Sequence, residues 1–217
     1  MTAYFITATG TGVGKTFATC AMIHAARAKA KKVVGVKPVI SGWQENDDPD
    51  TAQLINANGG QGCVEEISPW RFAAPLSPHR AAALESRHID TNKLVEWTKR
   101  EASTARLTLI EGVGGVMVPL SNDFTTLDWM EALKLPVILV TGSYLGSISH
   151  TLTALAALRA RNLQVAALIL NESECSSVTL EEAHAGLYHY ILDIPLRIIQ
   201  PRVSSWKEAS AIHALEL

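Results

Sequence analysis

Cysteine is scarce in this sequence, and Cys20, Cys63 and Cys175 stand far apart in no CxxC or metal-ligand spacing. That excludes a disulfide framework or a cysteine-rich metal centre. No run approaches the ~20 consecutive apolar residues that a bilayer-spanning helix needs, and the first residues carry neither a charged n-region nor a long apolar h-region. A soluble, cytoplasmic protein with reduced thiols is expected, with no membrane partner. Neither sign of charge dominates, since 19 Lys and Arg against 21 Asp and Glu leave a formal net charge of -2. Nucleic acid is therefore not an expected partner, because a phosphate backbone requires a basic face. Lys29, Lys31 and Lys32 form one small basic group and close a helix, where cations complement the dipole. Repeats and low-complexity linkers are missing too, and 217 residues with 47% hydrophobic content suit one domain, 1–217, with one sizeable core.

What is present is concentrated in residues 7 to 16, Thr-Ala-Thr-Gly-Thr-Gly-Val-Gly-Lys-Thr. An apolar run, Tyr4 to Ile6, precedes it, and a helical pattern carrying Phe17, Ala18, Ala21, Met22, Ala25 and Ala26 follows. Strand, glycine-rich turn and helix are the context of a phosphate-binding loop. Gly10, Gly12 and Gly14 let successive N–H groups point inward at an anion, and the helix start adds its unsatisfied N–H groups. Lys15 then reaches the β and γ phosphates, while the Thr16 hydroxyl binds Mg²⁺. The strict pattern has glycine where Thr9 stands, so the loop is a variant.

Further on, apolar runs alternate with helix-forming stretches. Strands are expected at 33–39, 107–111, 136–140, 165–170 and 196–199. Helices are expected at 51–58, 78–85, 90–105, 125–135, 147–161, 178–192 and from Ser205 onward. Residues 59–77 show no clean period and read as irregular. The alternation predicts an α/β, single-domain P-loop NTPase-like fold, a mostly parallel sheet with helices on both faces.

Lys37 ends one of these strands, followed by Ser41 and Gly42. In open parallel sheets ligands gather outside the carboxyl ends of the strands, so Lys37 either faces the same anion or lies in solvent. Asp47, Asp48 and Asp50 are candidate Mg²⁺ ligands, and Asp50 could equally cap the helix after it. Glu111 closes a strand and runs into Gly112, Val113, Gly114 and Gly115, the way a second acidic group is brought near a metal. His79 and Arg80 begin a helix and could meet an anion or solvent. His184 and His189, five apart, do not share a helix face well enough to bind a metal together.

Five blocks in this order resemble dethiobiotin synthetases over nearly the whole chain. They are residues 8–16, Lys37-Pro38-Val39-Ile40-Ser41-Gly42, Asp50-Thr51-Ala52, Pro75-x-Ser77-Pro78-His79 and Glu111-Gly112-Val113-Gly114-Gly115. The resemblance implies carboxylation of 7,8-diaminononanoate by CO₂ and ring closure to a cyclic urea, with ATP as co-substrate and Mg²⁺ as cofactor. It implies nucleotide contacts from Gly12, Val13, Gly14, Lys15, Thr16 and Phe17, and from Gly112, Val113 and Gly114. Thr16, Asp50 and Glu111 would hold the metal. Lys37 and Lys15 would be catalytic, with Thr11 and Ser41 on the carbamate. Asn171 would contact adenine, with Pro201, Arg202 and Val203 beside the base. A homodimer is implied, the partner's helix near Ser147 holding the substrate's carboxylate tail, with Ser149 where the family has asparagine.

Two other classes fit parts of the pattern. A partitioning ATPase, whose nucleotide state switches dimerisation, carries a lysine where Gly10 stands. A nucleotide-dependent amide-forming domain belongs to a longer chain with a reactive cysteine. Residues Asn171 to Glu174 resemble a guanine reader distantly, but without its lysine, which leaves ATP preferred.

Overall fold

The computed structural model describes residues 3–45, 49–60 and 62–213. Its main sheet has six parallel strands in the order β2-β5-β1-β6-β7-β8. These are β1 Ala3–Ala8, β2 Val33–Val36, β5 Leu107–Glu111, β6 Val137–Gly142, β7 Val165–Asn171 and β8 Leu196–Gln200. Because all run the same way, their carboxyl ends share one edge, and the loops that follow them meet there.

The strands are apolar almost throughout because both faces are covered. Side chains alternate by residue: Phe5, Ile110, Val137, Leu139, Leu168 and Leu170 enter one core, while Ile6, Leu109, Ile138, Val140, Ala167 and Ile169 enter the other. The first core is covered by α4 (Pro78–Leu84), α5 (Thr91–Ala102), α6 (Thr126–Leu133), α7 (Ser147–Ala160) and α8 (Leu180–Leu187). Trp129 of α6 is fully buried there and meets Phe5 edge-on, ring centroids 4.9 Å apart. The second is covered by α1 (Lys15–Ala28), α2 (Pro49–Ala57) and α9 (Ser210–His213). Among the described residues no helix is long and apolar enough to cross a membrane.

Several local expectations change. The single strand expected at 33–39 is two. Pro38, which has no N–H to give a ladder, separates β2 from β3 (Val39–Ser41), and β3 pairs with β4 (Trp70–Phe72) in a small second sheet. The irregular stretch 59–77 contains β4 and the helical turn α3 (Val64–Ile67), elements too short to show a period. The helix expected at 178–192 stops at Leu187 and passes into a 3₁₀ turn, Tyr188–Tyr190. The final helix is broken into a 3₁₀ turn, Trp206–Glu208, and α9. Helix α2 begins at Pro49, so Asp50 lies inside its first turn instead of capping it.

The exposed edge of the sheet at β2 is closed by a side chain. Asn58 accepts from Gly35 N–H at 2.8 Å and donates to Gly35 C=O at 2.9 Å. Its carboxamide stands in for a neighbouring strand and blunts an edge that would otherwise template pairing. Two residues on, Lys37 N–H donates to Ile67 C=O, which holds the β2 end in place for its side chain.

Candidate active site

The loop between β1 and α1 bends through left-handed conformations at Gly12 (φ 76°) and Gly14 (φ 90°). A side chain on Gly14 would bring its Cβ to 2.5 Å from Asn171 Nδ2, so the position is closed to other residues twice over. Gly14 begins α1 without a side-chain cap, which leaves the first N–H groups of the helix for an anion. Thr9, the departure from the strict pattern, anchors the loop. Its hydroxyl lies 3.2 Å from Thr141 Oγ1 and 3.4 Å from Tyr144 OH, and its N–H donates to Val140 C=O.

Lys15 is buried and curls back to donate to Gly10 C=O at 3.1 Å. Burial holds its pKa down to about 8, against the upward pull of Glu111 and Asp50 and with Lys37 reinforcing burial. Beside it, Thr16 Oγ1 donates to Glu111 Oε1 at 2.7 Å. The Lys37 ammonium pairs with Asp50 and lies 3.0 Å from Glu111 Oε1 and 3.4 Å from Thr16 Oγ1. Burial alone would lower the pKa of Lys37, but Glu111 and Asp50 outweigh it and hold the ammonium above the ordinary lysine value. β5, one strand over from β1, thus brings Glu111 under the loop, while β2 and α2 supply Lys37 and Asp50.

These residues fit a divalent ion. Thr16, Asp50 and Glu111 are oxygen donors that converge on one cation, and Glu111 Oε2 is buried without a partner. Among the described residues no group of three or more His, Cys, Asp or Glu could hold a metal. Two carboxylates and a hydroxyl suit Mg²⁺, which completes its shell with phosphate oxygens and water. The other two aspartates considered, Asp47 and Asp48, lie outside the described residues.

The loop separates two cavities. One, about 650 Å³, is lined by residues 9–14 and Phe17, by Asn171 through Glu174, and by Gln200, Pro201, Arg202 and Val203. The Asn171 carboxamide is fixed there by donating to Val13 C=O at 2.9 Å, with Oδ1 buried and unpartnered. The other, about 780 Å³, is lined by Thr11, Lys15, Thr16, Lys37, Ser41, Asp50, Val113 and Gly114, joined by Gln53, Pro75, Leu76, Ser77, Val118 and Pro119. A third cavity, about 640 Å³ beside β2, contains no residue of the loop; its Arg27, Arg100 and Arg106 are offset by Glu65, Glu66 and Glu101.

Some expected residues stand apart. Gly112 lines neither loop-side cavity; a Cβ there would come within 2.8 Å of Phe5, so this glycine serves close packing on β1. Ser149 is exposed in the first turn of α7, outside both cavities. His79 turns to Pro119 C=O, 3.3 Å away. The cavities also gain Tyr144, His150, Glu172, Gln200 and Ser77; of these Ser77 fell in one of the five blocks and Glu172 in the stretch that distantly resembles a guanine reader.

An AAA domain family matches residues 2–196. The chain is 43% identical over 210 residues to an ATP-dependent dethiobiotin synthetase BioD of Caulobacter sp., covering 95% of this chain and 90% of that one. It is 41% identical to the protein of the same description from Caulobacter vibrioides, with 99% of each covered. Among solved structures, the septum site-determining protein MinD of Pyrococcus horikoshii, complexed with Mg-ADP, superposes with a TM-score of 0.58 at 17% identity, covering 98% of this chain and 93% of that one. A ParA family ATPase from Chlorobium tepidum gives 0.54 at 16%, covering 97% and 90%. The likeness to MinD and ParA is one of fold.

Proposed function

The chain belongs to the family of ATP-dependent dethiobiotin synthetases, and from that premise we propose how its two cavities divide the reaction. It is a ligase that closes carbon–nitrogen bonds, using ATP to turn 7,8-diaminononanoate and CO₂ into dethiobiotin, ADP and phosphate. The observation that carries the assignment of roles is the convergence of Thr16, Asp50 and Glu111 on the Lys37 ammonium, with Lys15 on the same wall, where the loop opens into the larger cavity.

The smaller cavity takes the base and ribose of ATP. Asn171 Oδ1 is an acceptor whose orientation is set by the bond from Nδ2 to the loop, which suits an exocyclic amino group such as that of adenine. Phe17 and segment 201–203 flank it. The triphosphate lies along residues 10–16, on the N–H groups of the loop and the start of α1, with Lys15 neutralising its outer phosphates.

The larger cavity takes the diamine. One amine adds to CO₂ and loses a proton, giving a carbamate held by the hydroxyls of Thr11 and Ser41. The carbamate oxygen attacks the γ phosphorus and ADP departs, which converts a poor leaving group into phosphate. The second amine attacks the carbamoyl carbon, phosphate leaves, the amine nitrogen gives up a proton, and the ring closes. Transfer between two anions is governed by alignment and charge neutralisation, the task of Lys37 and Lys15. Thr16, Asp50 and Glu111 would hold Mg²⁺, which would supply neutralisation of the charge on the phosphate oxygens. Lys37, between the two carboxylates and on the wall of the larger cavity, is placed for the carbamate and the transferring phosphoryl group.

Exposed Met117 and Leu145 rise from the loops after β5 and β6, on the edge that carries the site. They support a homodimer that covers this edge, with the exposed α7 start around Ser149 reaching the substrate tail in the neighbouring subunit.

The assay supplies purified protein with ATP, Mg²⁺ and bicarbonate and follows phosphate release with and without 7,8-diaminononanoate. Release should depend on the diamine. Release indifferent to it would overturn the assignment.

A further inference from the structure

The segment 201–203, one wall of the smaller cavity, follows β8 and has no regular secondary structure. It is fastened by side chains. Glu172 Oε2 accepts from Arg202 N–H at 2.8 Å, and Glu172's own N–H donates to Gln200 C=O at 2.9 Å. The residue after β7 thus grips the chain after β8 with main chain and side chain together. Gln200 is buried and adds a second fastening, donating to Pro201 C=O at 2.6 Å and accepting from Ile212 N–H at 3.2 Å. The Arg202 guanidinium reaches Glu174 at 2.9 Å, but that pair is exposed, where ion pairs contribute little.

Glu172 directly follows Asn171, whose carboxamide is pinned to the loop. We propose that Glu172 is a positioning residue for the nucleotide base: its carboxylate fixes segment 201–203 at a set spacing from the Asn171 carboxamide, so that the slot for a purine exists before ATP arrives. The proposal rests on the smaller cavity being the base site. Without the carboxylate, Arg202 N–H loses its acceptor and the wall is held from Gln200, by the exposed Arg202–Glu174 pair and by the packing of Val203. The free segment then samples other positions, and base affinity falls while the phosphate loop, on the far side of Asn171, keeps its shape.

The function of Glu172 here is to accept a hydrogen bond, which a glutamine side chain also does. The bond is exposed, so Glu172→Ala should raise KM for ATP by roughly three- to tenfold, the size expected for one lost hydrogen bond, and leave kcat within about twofold. Glu172→Gln should restore KM to near the parent value. Inorganic tripolyphosphate, which has the phosphates but no base, should bind parent and Glu172→Ala protein equally in calorimetry. If the parent protein binds ATP no more tightly than tripolyphosphate, the base-site reading itself fails. If the parent prefers ATP and Glu172→Ala keeps that preference in full, the clamp is overturned while the base site stands. Equal losses for ATP and tripolyphosphate, or a glutamine variant as weak as alanine, would also overturn it, the first pointing to general damage and the second to a role for the charge.

Discussion

The Lys37 ammonium lies 3.0 Å from Glu111 Oε1, at a carboxylate with no solvent exposure of its own. A charge buried that deeply has to be balanced, and without bound nucleotide Lys37 balances it while also reaching Asp50. In the proposed reaction the same ammonium also faces the transferring phosphoryl group, so the lysine both keeps the site intact and serves the chemistry.

Removing Lys37 therefore has an effect that precedes catalysis. Lys37→Ala should lower the unfolding free energy of the nucleotide-free protein by about 3–5 kcal/mol, the usual consequence of stranding one member of a buried pair. Mg²⁺ with ADP should recover more melting temperature in the variant than in the parent. Identical denaturation curves for the two proteins would show that Glu111 needs no such partner.

The same substitution separates binding from turnover. Lys37→Ala is expected to lose ~10² to 10³ in kcat, as is usual when a preorganised donor to developing charge is deleted. ATP should still bind through residues 10–16. Unchanged single-turnover rates would remove Lys37 from the chemical step.

Lys15 gives ATP binding a pH signature. With its folded pKa lowered to about 8 by burial, the unfolded chain holds this proton better than the folded one between about pH 8 and the ordinary lysine value of 10.5. Its contribution to stability therefore rises with pH across that window. A triphosphate restores the charge, so ATP binding at pH 9 should take up close to one proton, and affinity should decline as pH rises above about 8. Calorimetry in two buffers of different ionisation enthalpy measures the uptake; a value of zero at pH 9 would refute it.

Asn58 is far from the chemistry and should affect only the fold. Asn58→Ala leaves the N–H and C=O of Gly35 without their partners, at a cost of about 1–3 kcal/mol. Denaturant midpoints should fall and kcat should hold. An unchanged midpoint would mean that water satisfies Gly35 equally well.

How much of this was readable in advance depended on how local each signal was. Lys15, Thr16, Lys37 and Glu111 sit in short blocks beside glycine or proline at the carboxyl ends of apolar strands, where both the pattern and the topology point to a ligand. Asp50 was ambiguous because a carboxylate at a helix start serves a cap or a metal equally well. The helix begins one residue before it, which removed the first reading. Thr9 looked like a defect in the motif, and its partners Thr141 and Tyr144 lie more than 130 residues further on. The roles of Asn58, Glu172 and Gln200 were invisible for the same reason, since a single side chain closing a strand edge or holding a loop leaves no periodicity. The turn α3 and strand β4 were missed because four and three residues are too few to show a period.

Thr11, Gly12, Gly14 and Phe17 border both the 650 Å³ and the 780 Å³ cavities. For inhibitor design this makes the loop a sill between two rooms, crossed along backbone N–H groups instead of through an apolar tunnel. A compound joining a purine mimic to a diamine mimic therefore gains from an anionic, phosphate-length linker. An aliphatic linker of the same reach would strand those N–H groups and forfeit what the two ends gain.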